Sequence, residues 1–272
     1  MTRQPAAITL GIVLCAAGSA LAQTPGTDPA RTVGKFEITD NSFLVEESFN
    51  QEAGVFQNIF MWTRSRTGGW EGSFTQEWPL GSMTHQFSYT IPFSGGEGVR
   101  GINDVLINYR YQLLTETETR PALAPRLSAV LPTGREADGL GAGVFGLQVN
   151  VPVSKQFGDL YVHANGGFTW LPSVDVSADA TRTLTSPFFA AGGIWRAAPM
   201  LHLMLEAVAS FDDTGEAAPA RARTVTISPG FRTGWNFGER QVVVGAAVPL
   251  SRIEGRGDVG VITYFSYELP FR

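Results

Sequence analysis

One cysteine stands in the 272 residues, Cys15, and it falls inside an apolar N-terminal run rather than in the body of the chain. Past that run neither a disulfide nor a cysteine metal site can form. The histidines are His85, His163 and His202, with no HExxH pair among them, so no metal centre is expected. No later segment strings together 18 apolar residues, and helical periodicity is equally scarce, which excludes transmembrane helices and amphipathic bundles. Charge is sparse too, with 20 basic against 25 acidic residues, and this mild acidity argues against nucleic acid as a partner.

At the N-terminus Arg3 precedes an apolar stretch over residues 6–21, and Ala20, Leu21 and Ala22 form a small-residue cleavage site. A signal peptide is predicted over residues 1–22, removed after Ala22, so the protein is exported. Leu14 before Cys15 is too bulky for a lipoprotein signal. Without Arg3 the remainder carries 19 basic and 25 acidic residues.

The chain is rich in 31 glycines and 18 phenylalanines, a composition of strands joined by turns. An exported chain of this kind is a soluble sandwich, a solenoid or an outer-membrane barrel. The last strand, 259–271, sets Val259, Val261, Phe265, Tyr267, Leu269 and Phe271 on one face against Gly260, Ser266, Glu268 and Pro270. Such alternation, closing on an aromatic residue, suits lipid outside and a polar interior. Twelve candidate strands follow the same logic: 53–62, 70–80, 83–93, 101–113, 121–131, 143–153, 160–171, 187–195, 200–211, 223–235, 241–250 and 259–271. Most have the 9 to 11 or so residues that a tilted strand needs to cross a bilayer.

The connections sort by length. Tight turns are expected at Gly81, at Ala197 and Ala198, and near Gly238; long loops are expected at 133–142, 172–186, 212–222 and 251–258. Short turns on one side, long loops on the other and an even strand count predict an all-β, transmembrane, antiparallel up-and-down barrel with both ends at the periplasmic side. Trp62, Trp78, Trp170, Trp195 and Trp235 are candidates for interfacial girdles. Pro125 and Pro229 fall inside strands, where each removes a ladder hydrogen bond, so a bulge or shifted boundary is expected there. The eighth strand alternates poorly around Phe188 and Phe189.

Three stretches also carry a resemblance: Glu37 through Gly54, Leu131-Pro-Thr-Gly134, and Gln148 through Lys155 followed by Gly158-Asp159. The chain resembles the meta-pathway phenol-degradation family, a transporter-like group of bacterial outer-membrane barrels. That resemblance implies a porin-like transporter in a Gram-negative envelope, without a catalytic signature. Tyr267, Leu269 and Phe271 resemble the assembly signal read by the barrel-insertion machinery, although Arg272 follows the aromatic residue that ordinarily ends such a barrel.

Residues 141–146 have the spacing of a dinucleotide loop, but the next residues alternate as a strand, so the required helix is missing and no cofactor is expected. Arg256-Gly-Asp258 reads as a turn. No compact motif mounts a nucleophile beside a base and an orienting group, so an enzyme is not expected. The polar strand faces gather Glu71, Glu77, Asp104, Asn108, Arg110, Arg126, His163, Asn165, Glu206, Arg232 and Glu268 as candidate lumen residues. They line a solute pathway, or bond to one another and fill a closed barrel. Twelve strands about 4.8 Å apart at about 40° tilt give a backbone diameter of about 24 Å, leaving a narrow lumen. Residues 23–51 form a periplasmic segment before the barrel of residues 52–272, and its part 36–49, apolar enough to fold, is placed to enter or cap the mouth. The expected function is passive passage of small solutes, hydrophobic and aromatic ones included, through the outer membrane. The alternative is a closed structural or partner-binding barrel.

Overall fold

The computed structural model describes residue 38 and residues 40–177, 179–215 and 221–271. The predicted signal peptide lies outside these residues. Fifteen strand segments form one antiparallel sheet: β1 (Val55–Ser65), β2 (Trp70–Pro79), β3 (His85–Gly96), β4 (Val99–Ile102), β5 (Val105–Tyr111), β6 (Ala122–Leu123), β7 (Arg126–Leu131), β8 (Gly146–Phe157), β9 (Leu160–Ser177), β10 (Ala180–Ala198), β11 (Leu201–Asp213), β12 (Arg221–Phe237), β13 (Arg240–Ala247), β14 (Leu250–Ile253) and β15 (Arg256–Pro270). Along the path the collinear pairs β4/β5, β6/β7 and β13/β14 each act as one stave, and β1 pairs β15 from Val55↔Pro270 to Ser65↔Gly260. The result is a closed barrel of twelve staves without an unpaired edge, which is what a sheet in hydrocarbon requires.

Alternation decides which face is which. On β11, Leu201, Leu203 and Leu205 point out while His202, Met204 and Glu206 point in; on β15, Val259, Val261 and Phe265 point out while Ile262, Tyr264 and Ser266 point in. Even the eighth stave obeys this rule. Phe188 is buried and Phe189 exposed, and the run of small residues after them hides a regular pleat that packs the lumen at Ala190 and Ile194.

The breaks have local causes. Pro125 lies between β6 and β7, as a missing ladder donor requires. Pro229 behaves otherwise: the β11–β12 register runs unbroken from Leu201↔Thr233 to Asp213↔Arg221, and the interruption falls in the neighbouring stave, at Val248 and Pro249 between β13 and β14. Val248 then donates its amide to the Pro229 carbonyl at 2.9 Å. A further kink in β9 places Ser173 at φ 54 where Leu171↔Leu184 shifts to Val174↔Arg182.

Two of the four expected long loops are corrected. The residues assigned to 172–186 and 251–258 largely continue as strands: β9 runs to Ser177 and β10 starts at Ala180, and β14 and β15 are separated only by Glu254 and Gly255, whereas β11 ends at Asp213 and β12 begins at Arg221. Their charged composition reads as loop, yet a hairpin rising out of the bilayer tolerates Asp and Arg on both faces. At 18, 19 and 17 residues, β9, β10 and β12 far exceed the length of a crossing. The β7–β8 connection is irregular, with a 3-10 turn at Glu136–Asp138.

Candidate functional site in the barrel lumen

Residues 40–51 contribute no strand, yet almost all of them are buried, because they lie inside the ring of staves. Elementary accounting explains how irregular chain survives there: each backbone group needs a partner, and side chains of the wall supply them. Glu206 accepts the amides of Leu44 and Val45 on one carboxylate oxygen at 2.8 and 2.9 Å. Asn165 accepts the Glu46 amide at 2.6 Å and donates to the Glu46 carbonyl at 2.7 Å, imitating a strand neighbour. Ser154 accepts the Ser48 amide, and Gln86 accepts that of Gln51. Arg110 spends its guanidinium on the segment, donating to Asn50 Oδ1, Glu46 Oε1 and the carbonyls of Glu47 and Phe49.

The ion pairs share one pattern. Arg110 meets Glu46 at 3.1 Å, Arg126 meets Glu46 at 2.9 Å, and Arg232 meets Glu47 at 3.5 Å. In each pair the wall gives the cation and the segment gives the carboxylate. Asp40 anchors the other end, accepting from Gln57, Tyr264 and Ser266. Burial pushes the Asp40 and Glu47 carboxyls above their usual range, with the Arg232 cation pulling against it.

Apolar contacts fit the segment sideways. Ile38, Phe43 and Phe49 join Ile59, Met61, Tyr161, Ile194, Met204, Val243, Ile262 and Tyr264 in one cluster. Inward-facing glycines make the room. A Cβ on Gly245 would lie 2.4 Å from Phe43 Cζ, one on Gly192 3.2 Å from Val45, and one on Gly234 3.3 Å from Ile38. Each marks a close approach between wall and segment.

Of the residues expected in the lumen, Glu77, Asn108, Arg110, Arg126, His163, Asn165, Glu206, Arg232 and Glu268 are buried on inward faces. Arg110, Arg126, Asn165, Glu206 and Arg232 converge on the segment. Glu268 receives a hydrogen bond from Gln51 at 3.4 Å, and Asn108 accepts from Arg126 at 3.0 Å. Glu71 stands apart near the outer end of β2, opposite Thr63 and Ser94. Asp104 sits in the β4/β5 break and accepts the amides of Gly134 and Ala142 at 2.9 and 2.8 Å. It thereby ties the β7–β8 connection down, and Ala142 packs with Val130, Leu171, Val174 and Leu184 on the inner wall. Tyr267, Leu269 and Phe271 lie on the outward side of the last stave, with Phe271 against Phe56 and Trp78 at ring distances of 6.0 and 5.5 Å.

Sequence reasoning missed the segment's own carboxylates and the three glycines. Asp40, Glu46 and Glu47 show no periodicity that would orient them, whereas glycine at an otherwise inward strand position is a legible signal of close approach. Ser154 Oγ and His163 Nδ1 are 2.8 Å apart, the spacing of a nucleophile and its base. No third group orients that histidine, since His163 Nε2 lacks a hydrogen-bond partner among the described residues, and the Ser48 backbone covers the serine.

No family model matches the sequence, and no curated protein matches it. Solved structures do. An outer membrane channel from Pseudomonas putida F1 superposes with a TM-score of 0.59 at 14% identity, covering 90% of this chain and 100% of that one. The NanC porin gives a TM-score of 0.52 at 7% identity, over 79% of this chain and 99% of that one. The fold is that of the outer-membrane barrels.

Proposed function

We propose that the protein is a passive outer-membrane channel for small solutes, filled at rest by residues 40–51. One observation carries this reading: the ion pairs of the buried wall arginines Arg110, Arg126 and Arg232 are made with carboxylates of the inserted segment, with the wall residue Glu77 also attracting Arg110. A barrel meant to stay closed has no need to import its counter-charges. Once the segment moves, Arg110, Arg126 and Arg232 face water alongside Glu77, Glu206 and Glu268, leaving a hydratable passage with both signs of charge, able to orient a passing solute. Fixed charges unpaired in this way are costly to bury and cheap to hydrate, so the wall is suited to an open state as well as a closed one.

Solute class follows from the mouth opposite the termini. The apolar inner surface at Val130, Ala142, Leu171, Val174 and Leu184 would receive the hydrophobic part of a solute before the polar zone receives the rest. Small amphipathic molecules, aromatic ones among them, fit that order, which agrees with the resemblance to the phenol-degradation group. Tyr267, Leu269 and Phe271 serve, in this reading, as the signal for the insertion machinery. The other class, a closed structural barrel, draws on the density of bonds holding the segment. Single-channel recording on refolded protein in planar bilayers, with a panel of organic solutes as blockers, tests the proposal: discrete steps blocked by particular solutes support it, and silence from folded, inserted barrels sinks it.

A further inference from the structure

Outward faces above the apolar band are not uniform in charge. On three of four neighbouring staves, β1, β14 and β12, the outward rows end in arginine at the mouth opposite the termini. Arg64 continues the row of Phe60 and Trp62 on β1; Arg252 continues Leu250 on β14; Arg221 and Arg223 continue Ile227 and Val225 on β12. Arg66 and Arg256 stand at the adjoining hairpin tips. Register makes Arg252 and Arg223 diagonal neighbours and sets Arg64 across β15 from them, four positions further along that strand. Arg64 is opposite Val261 on β15, Arg252 is opposite both Val225 on β12 and Gly257 on β15, and Arg256 is opposite Ile253. The Arg66 amide donates to the Val259 carbonyl at 2.8 Å, which fastens the β1–β2 turn to the same arc.

All six are exposed. Among the described residues none of the six side chains has an ion-pair or hydrogen-bond partner, although acids are close in sequence. Those acids are otherwise engaged. Glu254 accepts the backbone amide of Arg223, Asp258 accepts the Ser65 hydroxyl at 2.6 Å, and Asp213, opposite Arg221, lies 3.8 Å from Arg182. The arc thus holds six arginines, none in an ion pair among the described residues, against Glu254 and Asp258 nearby, in a chain whose net charge is −5.

We infer that this arc binds the phosphates of the anionic glycolipid in the outer leaflet. The placement carries the argument: Arg64, Arg221, Arg223 and Arg252 stand on outward rows of the barrel, beyond exposed Trp62, Ile227, Leu250, Val259 and Val261, where lipid headgroups lie against a barrel wall. Arginine presents a planar fork of donors matched to phosphate oxygens, and neighbouring staves about 4.8 Å apart bring two such forks within reach of one phosphate. A soluble partner would be met from the loop tips. Cations on the lateral face meet lipid first. The inference rests on the outer-membrane placement and not on transport.

The test uses full-length mature barrel in neutral detergent, titrated with diphosphorylated lipid A and with its dephosphorylated form, and followed by native mass spectrometry. Wild type is expected to hold diphosphorylated lipid A in a salt-sensitive manner, and the triple variant R64Q/R223Q/R252Q to lose about tenfold or more in apparent affinity. R135Q, on the β7–β8 connection, should bind as wild type does. Retention of the heat-modifiable gel band shows that each variant is folded, and sedimentation with outer-membrane fractions reports the placement separately. Equal binding of the two lipid forms, or an unchanged affinity in a folded triple variant, would overturn the inference. Displacement of bound lipid A by millimolar inorganic phosphate alone would also overturn it, by showing a free-anion site.

Discussion

Glu46, on the inserted segment, and Arg126, on β7, form an ion pair of 2.9 Å inside the barrel, and the same carboxylate also meets Arg110 from β5 at 3.1 Å. Two staves are thereby tied to a piece of chain that belongs to neither. Replacing Glu46 with alanine leaves two buried cations without their counter-ion, a loss of about 3 to 5 kcal/mol where the barrel cannot readjust. E46A should melt earlier by heat-modifiability on gels and show larger or more frequent conductance steps than wild type.

A second prediction concerns the space given up by the wall. Alanine at Gly245 would place a Cβ 2.4 Å from Phe43 Cζ and 2.8 Å from the Phe231 carbonyl. Overpacking of this kind costs about 1 to 3 kcal/mol. G245A should therefore loosen the segment, and F43A/G245A should recover part of the lost thermal stability, since only the ring contact is relieved. Additive losses in the double variant would show that the two residues do not meet.

The opposite mouth makes a third. Asp104 holds Gly134 and Ala142 through their amides, and Ala142 is buried against the wall. Cys15 is the sole cysteine and lies in the predicted signal, so A142C introduces a unique probe into the mature chain. Its thiol should react slowly with a water-soluble maleimide, and at least about tenfold faster when Asp104→Ala is added, because two amides lose their acceptor. Equal rates would mean that other contacts hold this connection.

Assembly supplies a fourth. The Phe271 ring contacts with Phe56 and Trp78 are each worth about 0.5 to 1.5 kcal/mol, too little to prevent folding. F271A should refold in vitro nearly as well as wild type but assemble poorly in cells. Parallel loss in both settings would make the residue structural only.

The staves were legible because period two is an accurate record of a wall between lipid and lumen. Trp70, Phe74 and Trp78 against Ser73, Thr75 and Glu77 could be read without any structure. What composition misjudged was where strands end. Val174, Val176, Arg182 and Leu184 lie among charged and small residues that read as loop, although their pairing across β9 and β10 continues the hairpin. Proline was ambiguous for a related reason: Pro125 breaks its own stave, whereas the irregularity matched to Pro229 appears across the ladder at Pro249. The inserted segment was the hardest part. Its fold is set by side chains from β1, β3, β5, β7, β8, β9, β11, β12 and β15, and no local pattern in residues 40–51 announces contacts made so far away in sequence.

The measurement that bears most directly on the account is single-channel conductance of the mature protein beside a variant lacking residues 38–51, each shown to be folded and inserted in planar bilayers. The account predicts that wild type is closed most of the time with brief discrete openings, and that the deletion gives a persistently open channel of higher conductance. A deletion variant that inserts, holds its barrel and conducts no more than wild type would contradict it.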